Sequence, residues 1–120
     1  EKKDYAYIRV STPGQVDDMN RQEEYVREHC PNHIIIKDIG SGINLNRKGL
    51  RKIIKLGVEG RIRELGIAHK DRLTRFGYEL IRDIIKEYSR GEIRILEESK
   101  IETKEEEIVK DVLQILNVYV

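Results

Sequence analysis

Two short segments of the sequence combine hydroxyl or acidic side chains with arginines, and such sets could act on a phosphate. In the first, YAYIRVST at residues 5–12, Arg9 and Ser11 are two positions apart. A β-strand over residues 5–10 would put Arg9 and Ser11 on one face, about 7 Å apart. A serine beside a guanidinium could attack a bound phosphate. Alternatively, Ser11 and Thr12 cap the next helix and Arg9 is a surface charge.

The second segment, KDRLTRFG, directly follows the third predicted strand. If it is helical, Arg72 and Arg75 share one face and could grip one phosphate with paired donors, which lysine does less well. Leu73 and Phe76 would then turn toward the core. Asp71 could cap this turn or pair with an arginine. A salt-bridged, solvent-exposed face is the alternative interpretation.

A glycine-containing loop, GSGINLNRKGL, lies between these two segments. Gly40 and Gly42 permit backbone angles that other residues rarely adopt. Arg47 and Lys48 would be held near the start of the next helix. By itself, this segment is typical of a mobile surface loop.

Strands and helices alternate along the chain. The predicted strands are residues 5–10, 34–37, 65–69 and 93–96, and the predicted helices are residues 17–30, 49–59, 78–90 and 105–120. Alternation of this kind predicts an α/β fold with right-handed crossovers and a mostly parallel sheet of four or five strands. Ligands bind beyond the carboxyl ends of such strands. The candidate side chains should gather there: Arg9, Ser11, Arg47, Arg72 and Arg75.

The last predicted helix carries two apolar stripes rather than one. The first contains Ile108, Val112, Ile115 and Tyr119, and the second contains Val109, Leu113, Leu116 and Val120. An ordinary surface helix needs a single stripe to face its own core. The second stripe therefore predicts contact with a partner chain, and a deeply buried core helix is the alternative.

Composition and charge exclude several classes of protein. The net charge of +1 does not indicate a general nucleic-acid binder, so any DNA contact must come from a local cluster or another domain. No apolar run is long enough to span a membrane, and no membrane partner is expected. Cys30 is the only cysteine, which excludes an internal disulfide and favours a reducing, cytoplasmic location.

The sequence predicts no cofactor and no metal. His29, His33 and His69 show no metal-ligand spacing with Cys30, and they are interpreted as solvent or edge histidines. No phosphate-binding P-loop and no dinucleotide-binding glycine pattern is present.

The ordered set of motifs resembles the serine recombinases, the resolvase and invertase superfamily. The motifs are YxRVST, Gln22, DxGSG, NRKGL and DRLTR, and the resemblance extends over about residues 5–119. It implies a flavodoxin-like, three-layer catalytic domain with a long C-terminal helix, which cuts and rejoins DNA. It also implies that the active assembly is a tetramer made from dimers, so DNA and further copies of the chain are the expected partners.

The resemblance also assigns roles to residues. Ser11 matches the nucleophile that forms a 5′-phosphoserine link to DNA. Three arginines match those around the scissile phosphate: Arg9, Arg72 and Arg75. Arg47 matches the loop arginine of the same cluster. The supporting polar residues that orient the cluster are matched by Gln22, Asp38 and Asp71. No residue is identified as the general base, because pairing with arginine would make Asp38 or Asp71 a poor proton acceptor.

The segment HKDRLTRFGYEL resembles the small serine transposases of insertion sequences most, and in those proteins the DNA-binding domain precedes the catalytic one. We therefore expect residues 1–120 to be a single catalytic domain with a DNA-binding domain before residue 1. The final helix, about residues 103–120, is expected to be truncated. Family members carry a longer final helix with a polar or acidic position beyond the end of this chain.

Other functions fit the sequence less well. A two-metal nuclease would need converging carboxylates, but Asp4 lies at the opposite end of its strand from Ser11. A tyrosine recombinase would need a late nucleophilic tyrosine, and Tyr119 lies on an apolar stripe. The main alternative is a non-catalytic, flavodoxin-like regulatory or dimerisation module. Response regulators of that fold carry an acidic pair after the first strand, where this chain has RVST.

Overall fold

The computed structural model describes residues 1–96 together with Val109, Val112 and Leu113. Within residues 1–96, strands and helices alternate as expected, with an additional short helix and a 3-10 turn at Pro13–Gln15. The strands are β1 (Lys3–Val10), β2 (Ile34–Ile39), β3 (Ile62–Ile67) and β4 (Glu92–Ile95). The helices are α1 (Val16–His29), α2 (Lys48–Val58), α3 (Lys70–Leu73) and α4 (Tyr78–Ser89).

The four strands form one parallel sheet in the order β2-β1-β3-β4. This confirms the expected α/β fold with a parallel sheet of four or five strands. The chain runs outward from β1 to β2, returns past β1 to β3 and continues to β4. The strand order therefore reverses between β1 and β3, and α/β proteins bind ligands beyond the carboxyl ends of strands at such a reversal.

Helices cover both faces of the sheet, and each face has its own apolar core. Residues along β1 alternate between the two cores, as the period of a strand requires. Ala6 and Ile8 pack with residues of α1, whereas Tyr5 and Tyr7 pack with residues of α2 and α4. The result is three layers, with β1 buried on both sides.

Gly57 lies on the side of α2 that faces α4. Gly57 is buried, and a Cβ at this position would lie 3.4 Å from Ile85 Cγ1. Val58, which the sequence predicts to face the core, is 51% exposed. Successive residues of a helix point in directions about 100° apart, so Gly57 and Val58 cannot both face α4. In this helix Gly57 faces inward and Val58 does not.

The buried stripe of helix α4 includes fewer of its apolar residues than the sequence suggests. Ile81 and Ile85 are buried, one helical turn apart. Leu80 and Tyr88, two further apolar residues of the same helix, are 65% and 62% exposed. They flank the buried stripe, because the sheet contacts α4 on one side only and α2 covers part of that side.

Little of the predicted last helix falls within the described residues. Val109, Val112 and Leu113 are helical, and about half of each side chain is exposed. The other members of both apolar stripes, including Ile115 and Leu116, lie outside the described residues, as does the expected truncation at residues 103–120. None of the described helices is long and apolar enough to cross a membrane.

Candidate active site

Ser11 immediately follows β1 at the carboxyl edge of the sheet and is 2% exposed. The turn after it folds back so that Gln15 Oε1 accepts hydrogen bonds from the backbone N–H groups of Ser11 and Thr12, both at 3.0 Å. Thr12 and Gln15 also form a capping box at the start of the 3-10 turn. Gln15 therefore fixes the backbone of Ser11. The T-x-x-Q spacing of this capping box is a signal from which Gln15 could have been predicted.

Arg9 connects Ser11 with the segment after β3. Its guanidinium is fully buried, and Nη1 donates to Ser11 Oγ at 3.3 Å and to the Gly40 carbonyl oxygen at 3.1 Å. Nε donates to the Arg72 carbonyl oxygen at 3.0 Å, and Nη2 donates to that of Asp71. The two side chains that the strand period places on one face thus contact each other directly, and Arg9 is not a surface charge.

Gln22 holds the backbone of Arg9 from the opposite face of the sheet. Its Nε2 donates to the Arg9 carbonyl oxygen at 2.9 Å, and its Oε1 accepts from the Arg9 N–H at 3.4 Å. Arg72 Nη1 donates to the same carbonyl oxygen at 3.3 Å. Gln22 is 1% exposed, so this buried side chain orients the strand end from helix α1.

The arginines after β3 do not share a helix face, because α3 ends at Leu73 and Thr74 is extended (φ −161°, ψ 151°). Arg72 is 1% exposed and lies against β1, as described above. Arg75 reaches the site from the chain beyond the break, where its backbone N–H donates to the Gly42 carbonyl oxygen at 2.8 Å. Its Nη1 forms an ion pair with Asp71 Oδ2 at 2.9 Å. Of the two roles open to Asp71, pairing with an arginine is therefore observed.

The break in α3 also changes the position of Phe76. The sequence predicts that Phe76 and Leu73 both face the core, but Phe76 is 68% exposed while Leu73 is fully buried. Thr74 Oγ1 donates to the carbonyl oxygens of Gly42, at 3.2 Å, and Phe76, at 2.8 Å. These bonds redirect the chain at Thr74 and away from a helical path.

The loop before α2 packs against the site and is not a free surface loop. Ser41, Gly42 and Arg47 are buried. A Cβ at Gly42 would lie 3.1 Å from Arg9 Nη2, closer than most side-chain contacts, so any other residue here would require the guanidinium of Arg9 to shift. The loop glycine thus lets the backbone approach the guanidinium of Arg9.

Arg47, Tyr7 and Asp38 form a buried chain of hydrogen bonds beside Arg9. Arg47 Nη1 donates to the Tyr7 hydroxyl at 2.7 Å, and this hydroxyl donates to Asp38 Oδ2 at 2.6 Å. Asp38 also accepts the backbone N–H groups of Gly49 and Leu50, at 2.8 and 2.9 Å, and so satisfies the first turn of α2. Sequence reasoning placed Tyr7 on the correct face but did not recognise it as the link between these residues.

The charges in this chain of hydrogen bonds are set mainly by burial. Burial raises the pKa of Tyr7, with the Asp38 carboxylate adding to the rise and Arg47 opposing it, so the hydroxyl remains a donor at neutral pH. Burial also lowers the pKa of Arg47, while Tyr7 and Asp38 counteract this effect. Arg47 remains protonated because the guanidinium pKa is so high that such a shift does not reach neutral pH.

A comparison with protein families agrees with this geometry. The family model described as "Resolvase, N terminal domain" matches residues 5–119. This chain belongs to the resolvase family. Two resolvase-type proteins of Acanthamoeba polyphaga mimivirus are 54% and 46% identical to it, over 100% and 99% of its length. In each case the chain spans 63% of the relative's own length.

Solved serine recombinases have the same fold as this resolvase-family chain. A serine recombinase from Sulfolobus solfataricus is 35% identical, with a TM-score of 0.85 over 99% of this chain and 83% of the other. The first open reading frame of transposon ISC1904 from the same organism is 33% identical, with a TM-score of 0.83 over 98% and 82%. The C-terminal catalytic domain of ISC1926 TnpA, an IS607-like serine recombinase, is 32% identical, with a TM-score of 0.82 over 96% and 81%.

The eight residues that the resemblance assigned to the active site lie together at the carboxyl edge of the sheet in this serine recombinase chain. Hydrogen bonds and an ion pair link them in two groups, one around Arg9 and one around Tyr7. Arg47 connects the groups by donating to the carbonyl oxygen of Leu73, the residue after Arg72. The members predicted from sequence are Arg9, Ser11, Gln22, Asp38, Arg47, Asp71, Arg72 and Arg75. Tyr7 and Gln15 complete the network.

Proposed function

We propose that this resolvase-family chain is the catalytic domain of an enzyme that cuts and rejoins DNA in site-specific recombination or transposition, with Ser11 as the nucleophile. The observation that carries the proposal is the hydrogen bond from the buried Arg9 guanidinium to Ser11 Oγ at the edge of the sheet. Arg72 and Arg75 converge on the same edge from the segment after β3. A serine surrounded by arginines suits attack on a phosphodiester, because the attack adds negative charge to the phosphate oxygens.

In the proposed reaction, Ser11 Oγ forms a bond to the phosphorus of a DNA phosphodiester. The bond from phosphorus to the 3′-oxygen breaks, and that oxygen leaves with a proton as a 3′-hydroxyl. The DNA is then held by its 5′-phosphate as an ester of Ser11. Because this ester conserves the energy of the broken bond, a 3′-hydroxyl of another strand can reverse the reaction without ATP.

The arginines have two functions in this proposal. Their positive charge and hydrogen bonds favour the ionised form of Ser11 over the neutral hydroxyl. They also stabilise the charge on the phosphate in the transition state, in a buried setting where such donors count most. Asp38 and Asp71 are assigned orienting roles, because Asp38 accepts three hydrogen bonds and Asp71 pairs with Arg75.

Strand cutting in this proposal needs neither a metal ion nor a nucleotide cofactor, because guanidinium groups supply the positive charge at the reacting phosphate. A two-metal site would need several carboxylates at that edge. Asp4 is the second residue of β1, seven residues before Ser11 and about 23 Å away along an extended strand. It pairs there with Arg63.

We also propose that the complete protein acts on DNA as an oligomer of this chain, and that a DNA-binding domain precedes residue 1. The solved ISC1926 TnpA domain supports this order, because it is described as the C-terminal catalytic domain of its protein. Val109, Val112 and Leu113 are each about half exposed, and these apolar side chains support contact with a second copy.

The decisive experiment is to trap the covalent intermediate. The full-length protein is incubated with DNA from its own genetic locus and quenched with denaturant, and the attached nucleotide is mapped by peptide mass spectrometry. We expect an adduct on Ser11 that is lost in Ser11→Ala. Ser89→Ala is the matched control, since Ser89 is equally buried but lies at the other end of the sheet, bonded to Gly57. An adduct on another residue, such as Ser41 or Tyr119, would refute the mechanism, and failure to form any adduct would favour a non-catalytic module.

A further inference from the structure

A second cluster of reactive side chains lies at the opposite edge of the sheet from Ser11. It consists of Cys30 at the end of α1, His33 in the turn before β2, and Glu64 in β3. A sulfur, a ring nitrogen and a carboxylate oxygen, one from each residue, all lie within 4.8 Å of one another. Glu64 pairs in register with Asp4 near the start of β1, which places the cluster about 23 Å from Ser11 along the strand.

The members of this cluster are shielded from solvent. Cys30 is 1% exposed, and the side chains of His33 and Glu64 are 10% and 21% exposed. His33 Nε2 lies 2.7 Å from Glu64 Oε2. Of the two positions that the sequence suggested for His33, solvent or edge, the solvent one is wrong, because His33 is largely buried just before β2 at the end of the sheet. The spacing of residues along the chain does not reveal the cluster, because Glu64 is more than 30 positions from its two partners.

The hydrogen bonding of the cluster is incomplete. His33 Nδ1 is buried and has no hydrogen-bond partner among the described residues. Buried polar atoms in proteins nearly always have a partner, because an unsatisfied one has lost its bonds to water without replacement. In metal sites one ring nitrogen of a ligating histidine binds the ion and the other is hydrogen-bonded, so both nitrogens have partners.

We propose that Cys30, His33 and Glu64 bind one zinc-type divalent ion. Sulfur, imidazole nitrogen and carboxylate oxygen are the three kinds of protein ligand that Zn²⁺ takes, and a thiolate plus a carboxylate neutralise its charge. Zn–S and Zn–N distances of about 2.3 and 2.1 Å require the sulfur and nitrogen to be about 3.6 Å apart. Since the three ligand atoms already lie within 4.8 Å of one another, side-chain movements of about 1 Å would bring them to these distances. A water molecule would be the fourth ligand.

A nucleophilic role for Cys30 fits the structure less well. A catalytic thiol must be reached by its substrate, whereas Cys30 packs in the core between the sheet and α1 beside Ala6 and Val26. A Cβ at Gly66 would lie only 3.2 Å from Cys30 Sγ, so the sheet surface is in contact with the sulfur. A single ion needs much less space than a substrate.

Arg94 is the competitor for this ion. Its Nη1 lies 3.9 Å from Cys30 Sγ and 4.0 Å from Glu64 Oε2. The Arg94 guanidinium therefore supplies positive charge close to the position proposed for the ion. The Arg94 side chain is about half exposed and otherwise donates to the His29 carbonyl oxygen at 3.3 Å. It can therefore turn out to solvent at small cost when an ion binds.

The proposed ion would tie together the end of α1, the start of β2 and the middle of β3. Because it binds the folded chain and has no assembled site in the unfolded chain, it should raise the melting temperature. At a free zinc concentration a hundredfold above Kd, the expected rise is roughly 10 °C for a domain of this size. This role is structural and independent of the reaction proposed for Ser11.

The test is a titration of the 120-residue chain with Co²⁺, which reports thiolate binding by near-ultraviolet charge-transfer absorption and tetrahedral geometry by visible bands. We expect saturation at one equivalent, displacement by Zn²⁺, loss of the charge-transfer band in Cys30→Ser, and at least tenfold weaker binding in His33→Gln and Glu64→Gln. His29→Gln is the matched control and should bind normally, because the exposed His29 ring contacts the Tyr25 carbonyl oxygen and not the cluster. Arg94→Ala should bind more tightly.

Several results would overturn this inference. One is a wild-type chain without a thiolate band at millimolar Co²⁺, which would mean that Arg94 is the permanent cation of the cluster. Another is binding that survives both His33→Gln and Glu64→Gln. Circular dichroism of the metal-free variants separates lost binding from lost folding, and Glu64, the most exposed of the three ligands at 21%, gives the variant most certain to fold. The Ser11 adduct should form in His33→Gln, so failure here is distinct from failure of the proposed function.

Discussion

Replacing Tyr7 by phenylalanine removes one oxygen atom from the centre of the buried network beside the candidate nucleophile. That hydroxyl donates to Asp38 at 2.6 Å and accepts from Arg47 at 2.7 Å, and both partners are charged and more than nine-tenths buried. A hydrogen bond to a charged group contributes about 1.5–3 kcal/mol, and leaving a buried group unsatisfied costs about 1–3 kcal/mol. Asp38 keeps its two backbone donors and Arg47 keeps its two backbone acceptors. We therefore expect Tyr7→Phe to lower the free energy of unfolding by about 3 kcal/mol.

Urea unfolding of the chain, followed by circular dichroism, measures this change. Tyr5→Phe is the matched control, because Tyr5 lies on the same strand and face and is also buried, but its hydroxyl has no hydrogen bond to the described residues. The control should lose less than about 1 kcal/mol. Equal losses in the two variants would show that the hydroxyl of Tyr7 contributes nothing specific, and the reasoning from its two charged partners would be refuted.

Three further predictions concern the charges of the molecule. Arg72→Ala or Arg75→Ala should slow DNA cleavage by the full-length protein by about a hundred- to a thousand-fold in a quenched cleavage assay. Lysine at either position should restore little activity, because it lacks paired donors. A near-normal rate would show that the replaced arginine forms only an ordinary ion pair. Cleavage should persist in EDTA and without ATP, and an absolute requirement for Mg²⁺ in strand cutting would instead favour a two-metal mechanism. The hydrogen bond from Arg63 lowers the pKa of the Asp4 carboxyl from its ordinary value of 3.8. The stability that this ion pair contributes is therefore fully present well above pH 3.8, and it is lost as the pH falls through the lower pKa of the folded chain. Asp4→Asn should therefore flatten the acid side of the stability profile, measured by urea unfolding at several pH values, and an unchanged acid side would contradict this.

The sequence was sufficient to predict the parts of the fold that follow from short-range periodicity. Alternation along β1 predicted which residues share a face, and the parallel order of strands predicted that Ser11 and the arginines after β3 meet at one edge. These inferences hold because the carboxyl ends of parallel strands must lie together, whatever the details of the helices between them. The contact between Arg9 and Ser11 is a direct result of this rule.

Features that depend on contacts distant in the chain were not predictable in the same way. A helical pattern through KDRLTRFG is plausible locally, yet bonds from Thr74 to the loop around Gly42 end α3 early and leave Phe76 exposed. Tyr7 finds its two partners 31 and 40 positions away, and no local pattern contains that information. Helix α2 likewise turns Gly57 inward in place of Val58, because the approach of α4 decides which side is buried.

Arg47 has a structural role in addition to any contact with phosphate. A guanidinium carries five N–H groups, and three of those of Arg47 bond to the Asn44 carbonyl oxygen, the Tyr7 hydroxyl and the Leu73 carbonyl oxygen. These three bonds join the loop, β1 and the end of α3, so Arg47 fixes the positions of the elements that carry Arg72 and Arg75. One N–H on each terminal nitrogen has no hydrogen bond to the described residues, which leaves Arg47 able to reach a phosphate without giving up any structural bond. In the proposed reaction Arg47 both holds the site together and contacts the substrate, and its loss should therefore lower both the stability of the chain and its cleavage of DNA.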